Sequence, residues 1–363
     1  MNKQEHIFID ENIPYLADIL SPFGIISKFS GRDLSNEVLI QTRCDFLFVR
    51  STTNINRELL KNTKVKFVGT ATSGIDHVDT EYLNLSGVHF ADAAGSNSNS
   101  VAEMVVYSII KWSKITGKDL SKTTIGIIGF GHIGKIVAEL SRYLGLKILV
   151  NDPPLLDENF EFPDFLRHVD LKTLCSKSDI ITNHIPMTQT GKYPTYNLIG
   201  EIEISLLKEG SLFIHASRGY IVKEKPLLDR LKKKEVFASI DVWENEPLIN
   251  PELVKLCILA TPHVGGYSRD GKLRGVKMMA DAFQKFTGEP VDISTIKSEL
   301  DEYNPVEPAK YKDIDFIYNL LSQKRKFDED HGVLLETMNL PDKERATAFD
   351  RLRKNYSIRR ESL

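Results

Sequence analysis

Residues 125–134 read Ile-Gly-Ile-Ile-Gly-Phe-Gly-His-Ile-Gly, a β-branched run that ends in Gly129, Gly131 and Gly134, spaced G-x-G-x-x-G. Few patterns constrain a fold as tightly. The first glycine makes a tight strand-to-helix turn, the second leaves backbone bare for a pyrophosphate, and the third lets helix and strand pack closely. The phosphate charge then rests on the N-terminus of the helix that follows. The next apolar run, from Lys147, closes on Asp152, a carboxylate placed to hydrogen-bond the ribose diol of NAD and to repel the extra phosphate of NADP. Strand, glycines, helix and acid in that order predict a dinucleotide site.

At 363 residues the chain has room for two or three domains. Its 41% hydrophobic and 27% charged residues are those of a soluble globular protein. A net charge of −3 gives no reason to expect nucleic acid or an anionic membrane as a partner. The polar start, Met-Asn-Lys-Gln-Glu-His, runs straight into Ile-Phe-Ile, so no signal peptide is expected, and no apolar run approaches a membrane span. Cys44, Cys175 and Cys257 are odd in number and far apart, without a C-x-x-C. That suggests neither disulfides nor a zinc site and leaves buried thiols in a reducing cytoplasm as the expectation. No histidine and carboxylate cluster has metal-ligand spacing, so no metal is expected.

Ahead of the glycine loop, apolar runs at 6–9, 46–49, 65–69 and 88–91 alternate with helical patterns, one of them at 56–61. That alternation predicts βαβ units and a parallel sheet. A long helical pattern over 98–112, with Val101, Val105, Ser108 and Ile109 on one stripe, leads into the glycines. The glycines therefore open a second α/β domain, with further strands expected at 180–184, 211–215, 237–241 and 258–261. Helices are expected between them, notably at 206–208 and 225–233. A helical pattern over 272–286 reads as a return to the first domain. From Pro290 the texture changes, with Pro305 and Pro308 and then alternating charged and apolar residues. The fold class expected is two doubly wound parallel-sheet domains, flavodoxin-like and Rossmann, plus a small C-terminal α/β segment. The boundaries expected are 1–97 with 268–288, 98–267, and 289–363.

Three side chains fall just past predicted strand ends: Arg218 in Ala-Ser-Arg-Gly, Glu246 in Asp-Val-Trp-Glu-Asn-Glu-Pro, and His263 in Thr-Pro-His. Open α/β sheets bind ligands at the carboxyl ends of their strands. Hydride transfer to NAD needs a base for a hydroxyl proton, and histidine titrates in the right range. A carboxylate beside it fixes its tautomer and stabilises the imidazolium. A guanidinium grips a substrate carboxylate and polarises the developing carbonyl. Singly, each residue is more simply a surface ion pair or a structural histidine; together, beside a nucleotide site, they point to a catalytic set.

These segments, with Gly-Phe-Gly-His-Ile-Gly, resemble the D-isomer-specific 2-hydroxyacid dehydrogenases. Further segments resemble one branch of that family: Asp10-Glu-Asn-Ile-Pro-Tyr, Val49-Arg-Ser, Phe67-Val-Gly-Thr-Ala-Thr-Ser-Gly-Ile-Asp-His-Val-Asp, His263-Val-Gly-Gly-Tyr-Ser and Phe349-Asp-Arg-Leu-Arg-Lys-Asn-Tyr. The resemblance covers nearly the whole chain. It implies oxidation of 4-phospho-D-erythronate to 3-hydroxy-2-oxo-4-phosphobutanoate by NAD, in pyridoxal 5'-phosphate synthesis, by a homodimer held partly through the C-terminal segment. Carried onto matching positions, it makes Arg218 and Glu246 active-site residues and His263 the acid/base. Ser51, Thr72 and Tyr267 would contact substrate. The backbone at His132 and Ile133, with Asp152, Ala216, Ser217, Arg218, Asp241 and Gly266, would contact NAD. Two positions depart from the family pattern: Ile185 stands where a threonine precedes the proline, and Ser217 where a cysteine precedes the arginine.

Other features have plainer readings. His77 lies in a loop, where capping or packing is expected; His184 ends a strand; His215 sits inside an apolar run as a satisfied core histidine. Arg351, Arg353, Lys354, Arg359 and Arg360 read as a solvated or interface face. Arg50, Lys192 and Arg353 are candidates to hold a substrate phosphate. Two rival functions stand beside the first: a dehydrogenase of another 2-hydroxy acid such as 3-phosphoglycerate or glycerate, and a nucleotide-sensing protein that has lost turnover.

Overall fold

Short apolar runs give twelve strands among residues 5–363, the part of the chain that a computed structural model describes. Every pairing is parallel. Helical crossovers cover both faces of such sheets, so central strands are apolar on both sides. The strands Phe46–Val49 and Ser211–His215 are accordingly buried at every residue.

The chain divides into two compact units, Met1–Asn97 with Ser268–Asn304, and Ser98–Tyr267 with Pro305–Leu363. In the first, β1 (Glu5–Asp10), β2 (Gly24–Phe29), β3 (Phe46–Val49), β4 (Phe67–Thr70) and β5 (His89–Asp92) lie in the order β2-β1-β3-β4-β5. That is the flavodoxin-like order. Alternate residues supply its two faces. Ile7, Ile9, Phe46, Phe48 and Phe67 pack against Leu273, Val276, Met279 and Phe283 of the returning helix Arg269–Thr287. Phe8, Leu47, Val49 and Val68 pack on the opposite side with Leu39, Leu59 and Leu83.

The second unit holds β6 (Thr124–Ile128), β7 (Lys147–Asn151), β8 (Leu166–His168), β9 (Ile180–Asn183), β10 (Ser211–His215), β11 (Val236–Ile240) and β12 (Leu259–Ala260). Their order, β12-β11-β10-β9-β6-β7-β8, is the dinucleotide-binding arrangement extended by one strand, with the switch point at β6. The helix Ser98–Thr116 covers one face, its stripe of Val101, Val105 and Ile109 buried. Ser108 on that stripe is also buried; its hydroxyl lies 2.8 Å from the Met104 carbonyl oxygen and 2.7 Å from the Ser239 hydroxyl.

Two strands were not expected and two expectations need correction. The strands β2 and β8 lie at sheet edges and hide few residues, so neither carries a long apolar run. The helix expected at 206–208 ends earlier, as Glu201–Ser205, with Leu206 as its C-cap. The segment 289–363 is not α/β but helical among the described residues: Ser294–Asp301, a 3-10 turn at Pro308–Lys312, Ile314–Arg325, Phe327–Thr337 and Asp342–Lys354. Its alternation of charged and apolar residues is the stripe of helices lying on a surface, with Ile317, Leu321 and Arg325 buried one turn apart. Tyr311, Ile317, Leu321 and Phe327 join the core under the helix Ser98–Thr116. Leu334, Met338 and Phe349 join Trp243, Leu253 and Val254 in a second core. No helix among the described residues is long and apolar enough to cross a membrane.

Candidate active site

The glycine loop after β6 is built by close approach. Gly129 has φ +90°, and a Cβ on Gly134 would lie 2.0 Å from the Gly129 carbonyl oxygen. Helix and turn therefore meet through bare backbone, and alanine at 134 would force them apart. A Cβ on Gly131 would meet nothing within 4 Å, so space stands open beside the helix start. That helix, His132–Tyr143, has no side chain capping it, which leaves the first-turn N–H groups of His132 and Ile133 available to an anion. His132 itself is exposed. Asp152, after β7, accepts the Phe130 N–H at 2.7 Å and the Leu155 N–H at 3.2 Å. It thus ties the glycine turn to the second strand, and its oxygens retain capacity for ribose hydroxyls. These features fit a dinucleotide.

Beyond β10 lie Ala216 and Ser217, both buried, and then Arg218. The Ser217 hydroxyl donates to the Asn183 side-chain oxygen, and Arg218 Nη1 donates to the Ser217 carbonyl at 2.8 Å. A Cβ on Gly219 would come within 1.8 Å of the Trp243 carbonyl oxygen. Only glycine lets the loop after β10 lie against the loop after β11, which carries Glu246.

Glu246 is pinned by its own loop: the Trp243 N–H donates to Oε1 at 3.0 Å. His263 Nδ1 lies 2.8 Å from Oε2 and 3.1 Å from Oε1. A carboxylate only accepts, so in the neutral imidazole Nδ1 carries the proton and Nε2 the lone pair. Burial would raise the Glu246 carboxyl, but His263 and then Arg353 outweigh it and hold the group below the usual carboxylate range. The two side chains are 31% and 19% exposed, His263 being the more open.

His263 adopts φ +58°, a left-handed conformation that costs a non-glycine residue roughly 1 kcal/mol. Asp241, at the end of β11, imposes it. The buried carboxylate accepts the Thr261 hydroxyl at 2.6 Å, the Val264 N–H at 2.8 Å and the Gly265 N–H at 3.0 Å. Burial raises this carboxyl, against the pull of His263 and of those bonds. Gly266 and Tyr267 continue the loop; the Tyr267 N–H donates to Val264 O at 2.8 Å, and its ring stands edge-on to Tyr356 at 5.8 Å.

In the first unit, Ser51 and Thr72 each lie two residues beyond a strand, β3 and β4, which are neighbours in the sheet. Ser51 is exposed. Thr72 Oγ1 lies 2.9 Å from Thr70 Oγ1, which is 3.0 Å from His77 Nε2, so His77 has a structural partner. His215 sits beside the Asn183 amide and 3.4 Å from the Gly219 carbonyl; burial pushes it down to about 4. His184 Nε2 meets the Thr182 hydroxyl at 3.0 Å, and burial pushes it down to about 3. Both are neutral near pH 7.

The basic stretch divides. Arg351 and Lys354 are exposed, as expected of a solvated face. Arg359, by contrast, pairs with Asp330 at 2.6 Å, and Arg353 Nη1 lies 3.7 Å from Glu246 Oε2. Lys192 is held by Asp157 at 2.5 Å. The Trp243 N–H, the shaping of the His263 loop by Asp241 and the need for Gly219 depend on tertiary approach. For the last, an Arg-Gly pair directly after a buried strand was the available signal.

Fold and site together define a nicotinamide-dinucleotide-dependent dehydrogenase of 2-hydroxy acids. Residues 99–265 match the family described as D-isomer specific 2-hydroxyacid dehydrogenase, NAD binding domain. The chain is 35% identical to erythronate-4-phosphate dehydrogenase of Pseudomonas entomophila (strain L48), over 98% of this chain and 92% of that protein. Among solved structures, NAD+-bound 3-phosphoglycerate dehydrogenase of Entamoeba histolytica is 25% identical with a TM-score of 0.65, covering 78% of this chain and 96% of that one. D-lactate dehydrogenase from Aquifex aeolicus, complexed with NAD and lactic acid, has the same fold at 21% identity, TM-score 0.65, and the same coverage. The chain belongs to the D-isomer-specific 2-hydroxyacid dehydrogenases and, within them, to the erythronate-4-phosphate dehydrogenase family. It is an NAD-dependent oxidoreductase.

Proposed function

We propose that the chain oxidises 4-phospho-D-erythronate to (R)-3-hydroxy-2-oxo-4-phosphobutanoate, in pyridoxal 5'-phosphate synthesis in the cytoplasm. The substrate rests on relatives of that name matched along 98% of the chain. The chemistry rests on one observation above all: the His263–Glu246 pair, at 2.8 Å, leaves Nε2 free to act as a base.

NAD, when bound, supplies the hydride acceptor. Gly129, Gly131 and Gly134 with the N–H groups of His132 and Ile133 would cradle its pyrophosphate, and Asp152 would take its ribose. Ala216, Ser217, Arg218, Asp241 and Gly266 would line the remainder of its site. Arg218 grips the C1 carboxylate as a bidentate partner and polarises the carbonyl forming at C2. His263 Nε2 takes the C2 hydroxyl proton, and the ionised Glu246 stabilises the imidazolium that results. Ser51, Thr72 and Tyr267 contact the substrate.

We also propose a homodimer formed through the helical C-terminal segment, which exposes Phe316 and Val333, 40% and 44% accessible in the single chain. Sedimentation of the full chain at the mass of one copy would remove it.

NADH formation followed over a panel of 4-phosphoerythronate, 3-phosphoglycerate and glycerate tests the reading. The expected result is a kcat/KM at least about tenfold higher for 4-phosphoerythronate, equivalent to about 1.4 kcal/mol of binding. Preference for either other acid would overturn the substrate assignment, and NAD binding without reduction of it would overturn the mechanism.

A further inference from the structure

The helix Asp342–Lys354 belongs to the segment that follows the returning helix of the first unit. The two solved dehydrogenases described above match over 96% of their own length yet cover only 78% of this chain. Phe349 fixes this helix: it is fully buried in the core that contains Trp243, the residue whose N–H holds Glu246. One helical turn later comes Arg353. Its guanidinium lies 6.0 Å from the Phe349 ring centre and its Nη1 is 3.7 Å from Glu246 Oε2, while Nε is buried without an acceptor.

The other charged groups around the pair are otherwise engaged. His215 is neutral and bonded to its own loop, and Asp241 holds the turn of His263. Glu224 exchanges hydrogen bonds with Glu244 through backbone N–H groups at 2.9 Å, and Arg218 Nη1 turns back to Ser217 O. Arg353 is a cation placed against the oxygen that also meets His263.

We propose that Arg353 is a positioning residue for the catalytic pair: its guanidinium keeps Glu246 ionised and oriented while opposing the charge of a protonated His263. This rests on the reading of His263 as the base. The arrangement makes an imidazole that gives up its proton more readily than a plain histidine–glutamate pair would. Oxidation of the hydroxy acid needs neutral His263, whereas reduction of the keto acid needs it protonated. The cation therefore favours the oxidative direction.

Two variants of the full chain test this, Arg353→Met and Arg353→Lys. With the charge removed, the acid limb of kcat/KM for oxidation should move up by about half to one pH unit, the effect of one charge at this range. Oxidation at neutral pH should then fall several-fold while reduction holds or rises; the lysine variant should stay near wild type. In parallel, ring-carbon NMR of labelled histidine, with the His263 signal assigned by its loss in His263→Asn, should show its protonation midpoint move up with Arg353→Met. That measurement requires no turnover, so it decides the matter even if no acid on the panel reduces NAD. Equal losses in both directions with an unmoved midpoint would make Arg353 merely structural and overturn the proposal. A raised KM with unmoved pH limbs would make it a substrate contact and overturn it as well.

Discussion

Glu103 and Arg325, 222 positions apart, form an ion pair from which solvent is excluded, each side chain 0% exposed. The same guanidinium donates to the Ser100 hydroxyl at 2.7 Å and to Tyr267 O at 3.2 Å, and Glu103 also takes the Leu363 N–H at 2.8 Å. Removing one partner strands a buried charge. Arg325→Met should lower unfolding free energy by about 3–5 kcal/mol, read by chemical denaturation. Arg325→Met with Glu103→Leu should recover part of that loss, because the chain-end N–H groups still lack their acceptor. A double variant as unstable as the single would show that the charge is not the cause.

The catalytic set makes a graded forecast. His263→Ala should lower kcat by roughly 10²–10⁴, the usual worth of a positioned general base. Arg218→Ala should lower kcat/KM by a comparable factor, with much of the loss in KM for the hydroxy acid. Glu246→Gln keeps a hydrogen-bonding oxygen but gives up the negative charge that stabilises the imidazolium, so its loss should fall in kcat. Steady-state kinetics on the three variants checks this, and wild-type turnover in His263→Ala would refute it.

Asp152 accepts the Phe130 N–H and is the residue proposed to hold the ribose diol. Asp152→Ala should raise KM for NAD by about tenfold or more, equivalent to one lost charged hydrogen bond of 1.5–3 kcal/mol. Discrimination against NADP should weaken in the same variant, measured as the ratio of kcat/KM for the two cofactors.

Gly134 offers a backbone test. Its Cβ position is 2.0 Å from Gly129 O, and neither atom is at the end of a flexible side chain. Gly134→Ala should therefore distort the turn and abolish measurable NAD binding in calorimetry. Gly131→Ala, whose Cβ enters open space, should fold normally and lose affinity through contact with the pyrophosphate alone.

The buried histidines set an acid limit. Burial lowers His215 to about 4 and His184 to about 3 from an ordinary value of 6.5. Below 6.5 the unfolded chain takes up protons that the folded chain refuses, so unfolding gains ground as the pH falls. The contribution is complete above 6.5 and is lost on acidification toward 4. Denaturation midpoints measured at descending pH should drop through that window, and His215→Gln should show a shallower drop.

Much of this was readable from residue order. The glycine spacing located the turn between β6 and its helix because each position answers a distinct steric demand. Buried strands such as β3 and β10 announced themselves by uninterrupted apolar runs. The edge strands β2 and β8 did not, since an edge needs little apolar surface. The helical nature of the last segment was obscured by charges that cover its outer faces. Least legible was what depends on tertiary approach: no local pattern tells that Asp241 shapes the loop of His263, or that Arg353 comes to rest beside Glu246.

The twisted backbone at position 263 has a consequence for how such a chain drifts. Glycine would relax that turn but strip Glu246 of its imidazole, so a His263→Gly variant should be inert and gain little or nothing in sturdiness. The contact with Glu246 thus offsets the twist that the same imidazole imposes, and one codon carries both at once.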